Sequence, residues 1–292
     1  MNVSSAKPKL SSIPVHKLQE RTDLGMEMFN TTNANKSDFA HIPAHRDDHY
    51  IFILQESGRC QIIVDFEPVE AIGFAVYYLL PGQVHHVVIL EKVNGFFLAI
   101  DTALVDEKYR HVFEEIIFDH KPLSLKSQES IHIKSCVQLL FDTYNKTEQN
   151  GMYTSILHSL SSAFIGMMAD VYQQNEPKAN QQNSRLRTIT MAFKKLLNER
   201  YKTMKSPSEY ASELNISMSY LNEAVKSITG FPVSYWIHHE IILEAKRLLY
   251  YSDLNVKEIA FSLGYEDHTY FSRLFSKTVS ISPMQFRKQY RE

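Results

Sequence analysis

The sequence predicts an α+β protein with two domains, an N-terminal β-sandwich or small β-barrel with trailing helices and a C-terminal all-α domain. The chain has 292 residues, and at roughly 100 to 200 residues per domain it is long enough for two cores. Short strand-like runs give way to helical spacing after Asp101. The stretch Gln173 to Ser184 has no large apolar residue. We therefore expect domains at residues 1–172 and 185–292, joined by a linker at 173–184.

The composition limits the class of protein. Hydrophobic residues make up 44% of the chain and charged residues 22%, which excludes a largely disordered or collagen-like chain. A net charge of −2 taken alone argues against a nucleic-acid binder. Residues 1–184, however, carry 15 Lys and Arg against 22 Asp and Glu, whereas residues 185–292 carry 16 against 11. The near-neutral net charge thus results from an acidic N-terminal part and a basic C-terminal part whose charges nearly cancel.

Cysteine usage and the N-terminus predict a cytoplasmic protein. The chain has two cysteines, Cys60 and Cys136, too few for a disulfide framework and without the spacing of a metal site. Residues 1–12 lack the apolar run of a signal peptide. No stretch reaches 18 consecutive apolar residues, so we expect no contact with a membrane.

The N-terminal part predicts a run of strands. Five apolar segments rich in Val, Ile, Tyr and Phe recur at intervals of roughly ten residues, namely Tyr50–Leu54, Cys60–Phe66, Ala75–Leu80, His86–Leu90 and Phe96–Ile100. Turn residues separate them at Ser57-Gly58, Glu67-Pro68, Pro81-Gly82 and Asn94-Gly95. Such short strands at even spacing are typical of a β-sandwich or small barrel.

Two amphipathic helices are predicted at 131–144 and 153–172. Their apolar residues recur at helical spacing on one face of each helix, with Ile133, Val137, Leu140, Phe141 and Tyr144 on the first and Leu157, Leu160, Phe164, Met168 and Val171 on the second. A stripe of this kind is typical of a core, and pairing of two chains through it is the alternative.

The C-terminal part contains a repeat. Three apolar or aromatic positions recur 50 residues later, Tyr220 as Tyr270, Leu221 as Phe271 and Val225 as Phe275. Ala211 recurs as Ala260 after 49 residues, so the second copy has one extra residue in its turn. A short helix with a small residue, a tight turn and a second helix predict a helix-turn-helix in each copy, with Ser217 and Asp267 as N-caps and Gly264 in the second turn.

The second helix of each copy carries residue types that suit DNA. The side chains expected to read bases are Ser219, Asn222 and Glu223 on the first helix and His268, Thr269, Ser272 and Arg273 on the second. Asn pairs with adenine, Arg with guanine and Glu with cytosine, while Ser and Thr serve several bases. Lys226, Lys277 and Lys257 are expected to contact phosphate, whereas Tyr270, Phe271, Leu274 and Phe275 are expected to face inward. The plainer alternative is that these are solvated faces of two helical hairpins.

Residues 208–290 resemble the DNA-binding domain of the AraC/XylS family of transcription regulators. The matching segments of the first unit and the connecting helix are Leu214–Ser217, Tyr220-Leu221, Thr229–Pro232 and Ala245–Leu249. Those of the second unit are Val256–Ala260, Gly264–Asp267, Tyr270–Phe275 and Ser282–Arg287. Four positions depart from the family pattern, namely Glu223, Ile241, Ser276 and Ser280. The loss of positive charge implies a weaker hold on phosphate, and Ser280 must reach a left-handed helix end with some strain or use another turn.

The resemblance implies a cupin-like N-terminal barrel that senses a small molecule. Cupin enzymes bind metal with two His and a Glu in a first motif and a His in a second. His45 and His85 match, but Asp47 stands at the second His and no Glu follows at the expected spacing. The candidate effector pocket comprises His45, Asp47, His49, Tyr50 and His85. Metal binding, an organic ligand and a purely structural barrel all stay open, although the prediction includes no metal and no cofactor. His41, His45 and His49 are spaced four residues apart and would share one face of a helix, but Pro43 disfavours a helix there.

We therefore expect a non-enzymatic, sequence-specific DNA-binding transcription regulator controlled by a small-molecule effector. The implied partners are double-stranded promoter DNA, a second copy of the chain and RNA polymerase. The alternative is a cupin-type metal-dependent enzyme or sensor fused to a helical accessory domain. It would require a complete ligand set and a catalytic base.

Overall fold

The protein forms two compact units. The computed structural model describes residues 13–39, 42–115, 121–125, 127–146, 151–175 and 184–291. Within the described residues, one unit runs from Pro14 to residue 175 and the other comprises residues 184–291. The α+β composition is as predicted, since among the described residues the strands lie in the first unit and the second unit is helical.

In the residues that the structure describes, the first unit is built on one eight-stranded sheet. Its strands are β1 (Val15–His16), β2 (Met26–Ala34), β3 (His45–Asp47), β4 (Tyr50–Val64), β5 (Glu67–Ile72), β6 (Ala75–Leu79), β7 (Val84–Ile100) and β8 (Leu123–Ser124). Their order is β1-β3-β7-β4-β6-β8, with β2 also on β7 and β5 also on β4. All pairs are antiparallel except β1 with β3.

Two of the predicted turns are bends inside long strands. β4 runs through Ser57-Gly58 and β7 through Asn94-Gly95, and the two strands pair with each other across these points with shifts of register. A Cβ at Gly95 would overlap the backbone oxygen of Leu54, so the glycine permits close approach of two strands. The prediction of chain reversals there was wrong because bulges and turns favour the same residues. Pro81-Gly82 does separate β6 from β7.

Three α-helices accompany the sheet in the described part of this unit. They are α1 (Glu107–Glu115), α2 (Ser127–Tyr144) and α3 (Tyr153–Gln174). The predicted apolar stripes of α2 and α3 pack into the core with Phe52, Leu98 and Phe113, so they are not a surface for pairing chains. Exposed apolar side chains lie elsewhere on the same helices, at Ile131, Leu139, Ile156 and Met167.

The second unit contains seven helices in the part that the structure describes. They are α4 (Ser184–Arg200), α5 (Pro207–Glu213), α6 (Met218–Thr229), α7 (Val233–Tyr251), α8 (Val256–Ser262), α9 (His268–Val279) and α10 (Pro283–Tyr290). Helix α3 extends into the predicted linker and α4 begins at its last residue, while residues 176–183 of that linker lie outside the described residues.

Helix α7 is the central support of this unit. Its Trp236 is 6% exposed and donates through Nε1 to Thr229 Oγ1 at 2.9 Å, which fixes the end of α6 against α7. At the other end of α7, the Arg287 guanidinium donates to the carbonyl oxygens of Leu249 and Leu254 at 2.9 and 2.7 Å. These bonds hold α10 to the end of α7. Among the described helices of the chain, none is long and apolar enough to cross a membrane.

Candidate functional site

The two helix-turn-helix units have the same turn. In the first unit the Ile216 N–H donates to Ala211 O at 3.0 Å, and in the second the Tyr265 N–H donates to Ala260 O at 2.9 Å. This bond, with a left-handed residue just before it, is the Schellman ending of a helix. The left-handed residues are Asn215 with φ 54° and Gly264 with φ 80°. The small Ala at each copy is thus also the acceptor of the turn.

The second turn is longer by one residue, as the repeat predicts. Four residues separate α5 from α6, and five separate α8 from α9. Both recognition helices, α6 and α9, are capped by the predicted residues. Ser217 Oγ accepts from the Tyr220 N–H at 3.2 Å, and Asp267 Oδ1 accepts from the Thr269 N–H at 2.7 Å.

On α6, three of the predicted DNA contacts are exposed. They are Ser219, Glu223 and Lys226. Asn222 is half-buried, and its Oδ1 accepts from the Val233 N–H at the start of α7 at 3.1 Å. A bidentate Asn–adenine pair needs both ends of the amide, so this bond uses the acceptor that the base contact requires. The sequence alone gave no signal for this role of Asn222.

On α9, His268, Thr269, Arg273 and Lys277 are exposed. The Ser272 hydroxyl donates to His268 O at 2.8 Å, which leaves its oxygen lone pairs as acceptors toward a ligand. Phe271 and Phe275 are buried and Leu274 is half-buried, as expected. The prediction for Tyr270 was wrong, because this ring is 54% exposed on the same helix.

The predicted phosphate-binding lysines lie at the ends of helices. Lys226 and Lys277 are in the last turns of α6 and α9, and Lys257 is in the first turn of α8. All three side chains are exposed. The Lys257 ammonium lies 5.6 Å from the Phe261 ring, an exposed neighbour on the same helix.

A lysine outside the prediction ties the second turn to the end of α4. Lys205 Nζ donates to the carbonyl oxygens of Leu263 and Tyr201 at 2.6 and 2.5 Å and lies 4.8 Å from the Tyr265 ring. Burial lowers the pKa of Lys205 to about 8. Because Leu263 begins the second turn, this contact fixes the second helix-turn-helix relative to the first.

In the N-terminal unit, the sheet brings together most of the predicted effector residues. His45 of β3 pairs with His85 of β7, and Asp47 of β3 pairs with His16 of β1. Asp47 Oδ1 lies 3.8 Å from His45 Nε2 and 3.7 Å from His16 Nδ1, and Asp47 Oδ2 lies 3.4 Å from His85 Nε2. We call His16, His45, Asp47 and His85 the histidine cluster. His16 was missed because its two-residue strand has no pattern of its own.

Burial dominates the electrostatics of the histidine cluster. It lowers the pKa values of His16 and His45, lowers that of His85 to about 3, and raises the pKa of Asp47. The imidazoles of the cluster are therefore neutral near pH 7.

Two of the predicted pocket residues have other partners. His49 Nδ1 is 2.9 Å from Asp48 Oδ1, and its Nε2 is 3.3 Å from an Arg21 guanidinium nitrogen and 3.9 Å from Asp47 Oδ1. The Tyr50 ring packs in the core beside Phe52, and its hydroxyl donates to Glu114. Tyr50 therefore does not join the cluster, and His41 lies outside the described residues.

Comparisons with known proteins agree with the geometry of the C-terminal unit. Residues 210–289 match a family model described as a helix-turn-helix domain. An uncharacterized HTH-type transcriptional regulator of Escherichia coli, YijO, is 33% identical over 107 residues, 37% of this chain and 38% of that protein. The transcriptional activator RhaR of an Enterobacter species is 29% identical over 121 residues, 41% of this chain and 42% of that protein.

A solved structure matches over a greater length. ToxT from Vibrio cholerae is 14% identical and covers 91% of this chain and 98% of its own, with a TM-score of 0.41. By contrast, the chain matches the two curated relatives named above over about two fifths of their length. The two turns, the two capped second helices and the sequence matches together identify residues 210–289 of the C-terminal unit as a helix-turn-helix domain.

Proposed function

We propose that the protein is a sequence-specific DNA-binding transcription regulator. The observation that carries the proposal is the pair of helix-turn-helix motifs in the C-terminal unit. Each motif presents exposed polar side chains on its second helix. In helix-turn-helix proteins this helix lies in the major groove with its N-terminal residues against base edges. The names of the curated relatives, transcriptional regulator and activator, favour the same class over the alternative of a metal-dependent enzyme.

The two recognition helices would enter successive major grooves on one face of the duplex. Helix α7 connects the two units and has 19 residues, a length of about 28 Å at 1.5 Å per residue. Successive major grooves on one face are about 34–36 Å apart, or about 10 base pairs. The span of α7 is of the same order, and the Lys205 contact with the second turn supports a fixed separation.

The side chains divide into base contacts and phosphate contacts. Ser219 and Glu223 on α6 and His268, Thr269, Ser272 and Arg273 on α9 contact base edges. Lys226, Lys257 and Lys277 hold the phosphate backbone. Asn222 positions the start of α7 through its bond to Val233 instead of pairing with adenine.

The N-terminal unit supplies control and pairing. A small-molecule effector acts there, and it changes DNA binding only through different affinities for two states of the protein. Two chains pair through the exposed apolar side chains of α2 and α3, including Leu139 and Ile156, because the opposite stripe is already used in the core. RNA polymerase is the further partner of a DNA-bound regulator, and the cytoplasm is its place of action.

Selection of bound DNA from a random pool with the full chain tests the proposal. We expect enrichment of one motif with two conserved segments whose centres lie about 10 base pairs apart. The double variant Glu223→Ala, Arg273→Ala is the control, and it should lose the preference at one position in each segment. A pool that stays random after repeated rounds with folded protein would contradict the proposal.

A further inference from the structure

We propose that the histidine cluster binds a divalent transition-metal ion, with His16, His45 and Asp47 as ligands and His85 beside them. One ligand atom from each of His16, His45 and Asp47 lies within 4.8 Å of the others. The proposal concerns the N-terminal unit and goes beyond DNA binding, so its test does not depend on the proposed function.

The strand register places the four side chains together. His45 and Asp47 are two residues apart on β3, so both project from the same face of the sheet. β1 and β7 flank β3, with His16 opposite Asp47 and His85 opposite His45. The His16 and His45 rings stack at 3.9 Å, and the His45 and His85 rings meet edge to face at 4.5 Å. Three strands thus contribute to one small site.

The backbone fixes the tautomers of two imidazoles. His45 Nδ1 lies 2.8 Å from Pro43 O, and His85 Nδ1 lies 3.2 Å from Gln83 O. A carbonyl oxygen only accepts hydrogen bonds, so each Nδ1 carries the proton and each Nε2 presents a lone pair. Both lone pairs face Asp47, at 3.8 and 3.4 Å. An imidazole whose second nitrogen donates to a carbonyl is the usual arrangement of a metal-ligating histidine.

The environment of the Asp47 carboxylate supports a metal site independently of the histidine geometry. Its side chain is 4% exposed, and its Oδ2 is buried without a hydrogen-bond partner. A buried carboxylate oxygen that faces imidazole lone pairs is costly unless a proton or a metal cation lies between them. The Asp47–imidazole distances of 3.4 to 3.8 Å exceed the roughly 2.7–3.2 Å that is usual for a hydrogen bond. Two ligand atoms of a tetrahedral ion are separated by about 3.3 Å when each bond is about 2.0–2.1 Å.

The donor set also selects the kind of ion. Imidazole nitrogens with one carboxylate suit Zn²⁺, Co²⁺, Ni²⁺ or Fe²⁺, whereas Mg²⁺ prefers oxygen ligands. His49 is excluded as a ligand because Arg21 donates to its Nε2 and Asp48 accepts from its Nδ1. The His16 side chain is 37% exposed, which gives the ion a path to the buried groups.

Titration of the tag-free, chelator-treated full chain with Zn²⁺ by calorimetry tests the site, with Co²⁺ as a visible-absorption probe. We expect one ion per chain, and Mg²⁺ in excess should not displace it. Asp47→Asn, His45→Gln and His16→Asn should each weaken Zn²⁺ binding at least as much as the roughly 10- to 100-fold that loss of an outer-shell partner costs. His16 is partly exposed, so His16→Asn tests the site even where a buried variant fails to fold.

His86→Gln is the matched control. His86 is the neighbour of His85 in β7 but lies outside the cluster, so its replacement should leave the Zn²⁺ affinity unchanged. The proposal is overturned by the absence of Zn²⁺ binding in the unaltered protein. It is equally overturned if folded Asp47→Asn and His16→Asn bind Zn²⁺ as tightly as the unaltered protein, because the ion would then be held elsewhere.

Discussion

The two helix-turn-helix units reach the same turn with different residues at the left-handed position. The first uses Asn215, an exposed side chain, and the second uses Gly264. Both backbones make the same Schellman bond, to Ala211 and to Ala260. The backbone requirement is therefore equal, and Asn is among the residues that tolerate it.

The difference comes from what packs against each turn. A Cβ at Gly264 would overlap the backbone oxygen of Lys202 at the end of α4. The neighbouring Lys205 ammonium bonds to Leu263 O in the same turn. The turn of the second helix-turn-helix thus packs closely against the end of α4. Glycine is required there because a Cβ would have no room and because φ is positive. The repeat alone does not reveal this asymmetry.

The largest effect is expected when the two turns exchange residues. Gly264→Asn keeps a residue that tolerates the left-handed conformation but forces its Cβ into Lys202, so we expect a loss of about 3 kcal/mol or more of unfolding free energy. Asn215→Gly should change it by about 0.5 kcal/mol or less. Urea unfolding followed by tryptophan fluorescence measures both, because the chain has one tryptophan, Trp236, buried in α7 of this unit.

Gly264→Ala separates the two causes in the second turn. It adds the same Cβ without the local hydrogen bonds of Asn, so it should be at least as destabilising as Gly264→Asn. Equal and small losses for Gly264→Asn and Asn215→Gly would show that packing on α4 does not distinguish the units.

A second comparison concerns the recognition helices. Arg273 on α9 can donate two hydrogen bonds to guanine, whereas Glu223 on α6 can only accept. Arg273→Ala should lower affinity for a selected site by about 1–3 kcal/mol and relax one base position. Glu223→Ala should relax a position in the other segment and raise affinity for random DNA, because it removes a negative charge near phosphates. Binding isotherms on specific and random duplexes at fixed salt measure both.

Lys108→Ala serves as the control for charge loss. Lys108 is an exposed lysine of the N-terminal unit, paired with Asp106 at 3.2 Å, and its removal should leave DNA binding unchanged. If Arg273→Ala weakens specific and random DNA equally, the side chain contacts phosphate and the assignment to a base is wrong.

The same two units show what the sequence could and could not predict. The repeat, its one-residue offset and the caps Ser217 and Asp267 follow from spacing and local chemistry, and the structure confirms them. The exposed Tyr270 and the bond from Val233 to Asn222 depend on how α7 and its neighbours meet the recognition helices. Local patterns do not encode such contacts.

The N-terminal unit gives the same lesson for a sheet. The Gly95 signal marked a real backbone feature, but only the paired strand decides between a turn and a bend. His45, Asp47 and His85 were found from the sequence because they lie in two recognisable motifs. His16 joins them through the parallel pairing of β1 with β3, which connects residues about 30 positions apart.

A smaller effect is expected for the helix-end lysines. Lys226→Ala and Lys277→Ala should each weaken binding to all DNA sequences by about 1 kcal/mol and reduce the slope of log affinity against log salt by about 1. Salt titrations of both variants measure the slope. Equal changes would indicate that the two units contact phosphate alike, whereas an effect of only one lysine would show that one unit carries the backbone contacts.

The smallest expected effect concerns the ends of the recognition helices, where the two units again use different residues. Gly230 closes α6 with φ 78°, and Ser280 closes α9 with φ 68°. A non-glycine residue in the left-handed region costs roughly 1–2 kcal/mol. Glycine avoids this cost, but part of the gain in stability is lost because glycine has greater conformational entropy in the unfolded chain. Ser280→Gly should therefore stabilise the unit by about 0.5–1 kcal/mol, measured by the same Trp236 fluorescence.

The reverse exchange completes the test. Gly230→Ser should destabilise the C-terminal unit by about the amount that Ser280→Gly gains. Apart from its chain neighbours, no described residue has an atom within 4 Å of a Cβ at position 230, so only the backbone conformation matters. If Ser280→Gly fails to stabilise while Gly230→Ser destabilises, the Ser280 side chain contributes a compensating interaction. The two helix ends would then be closed by different physical means despite their equal backbone geometry.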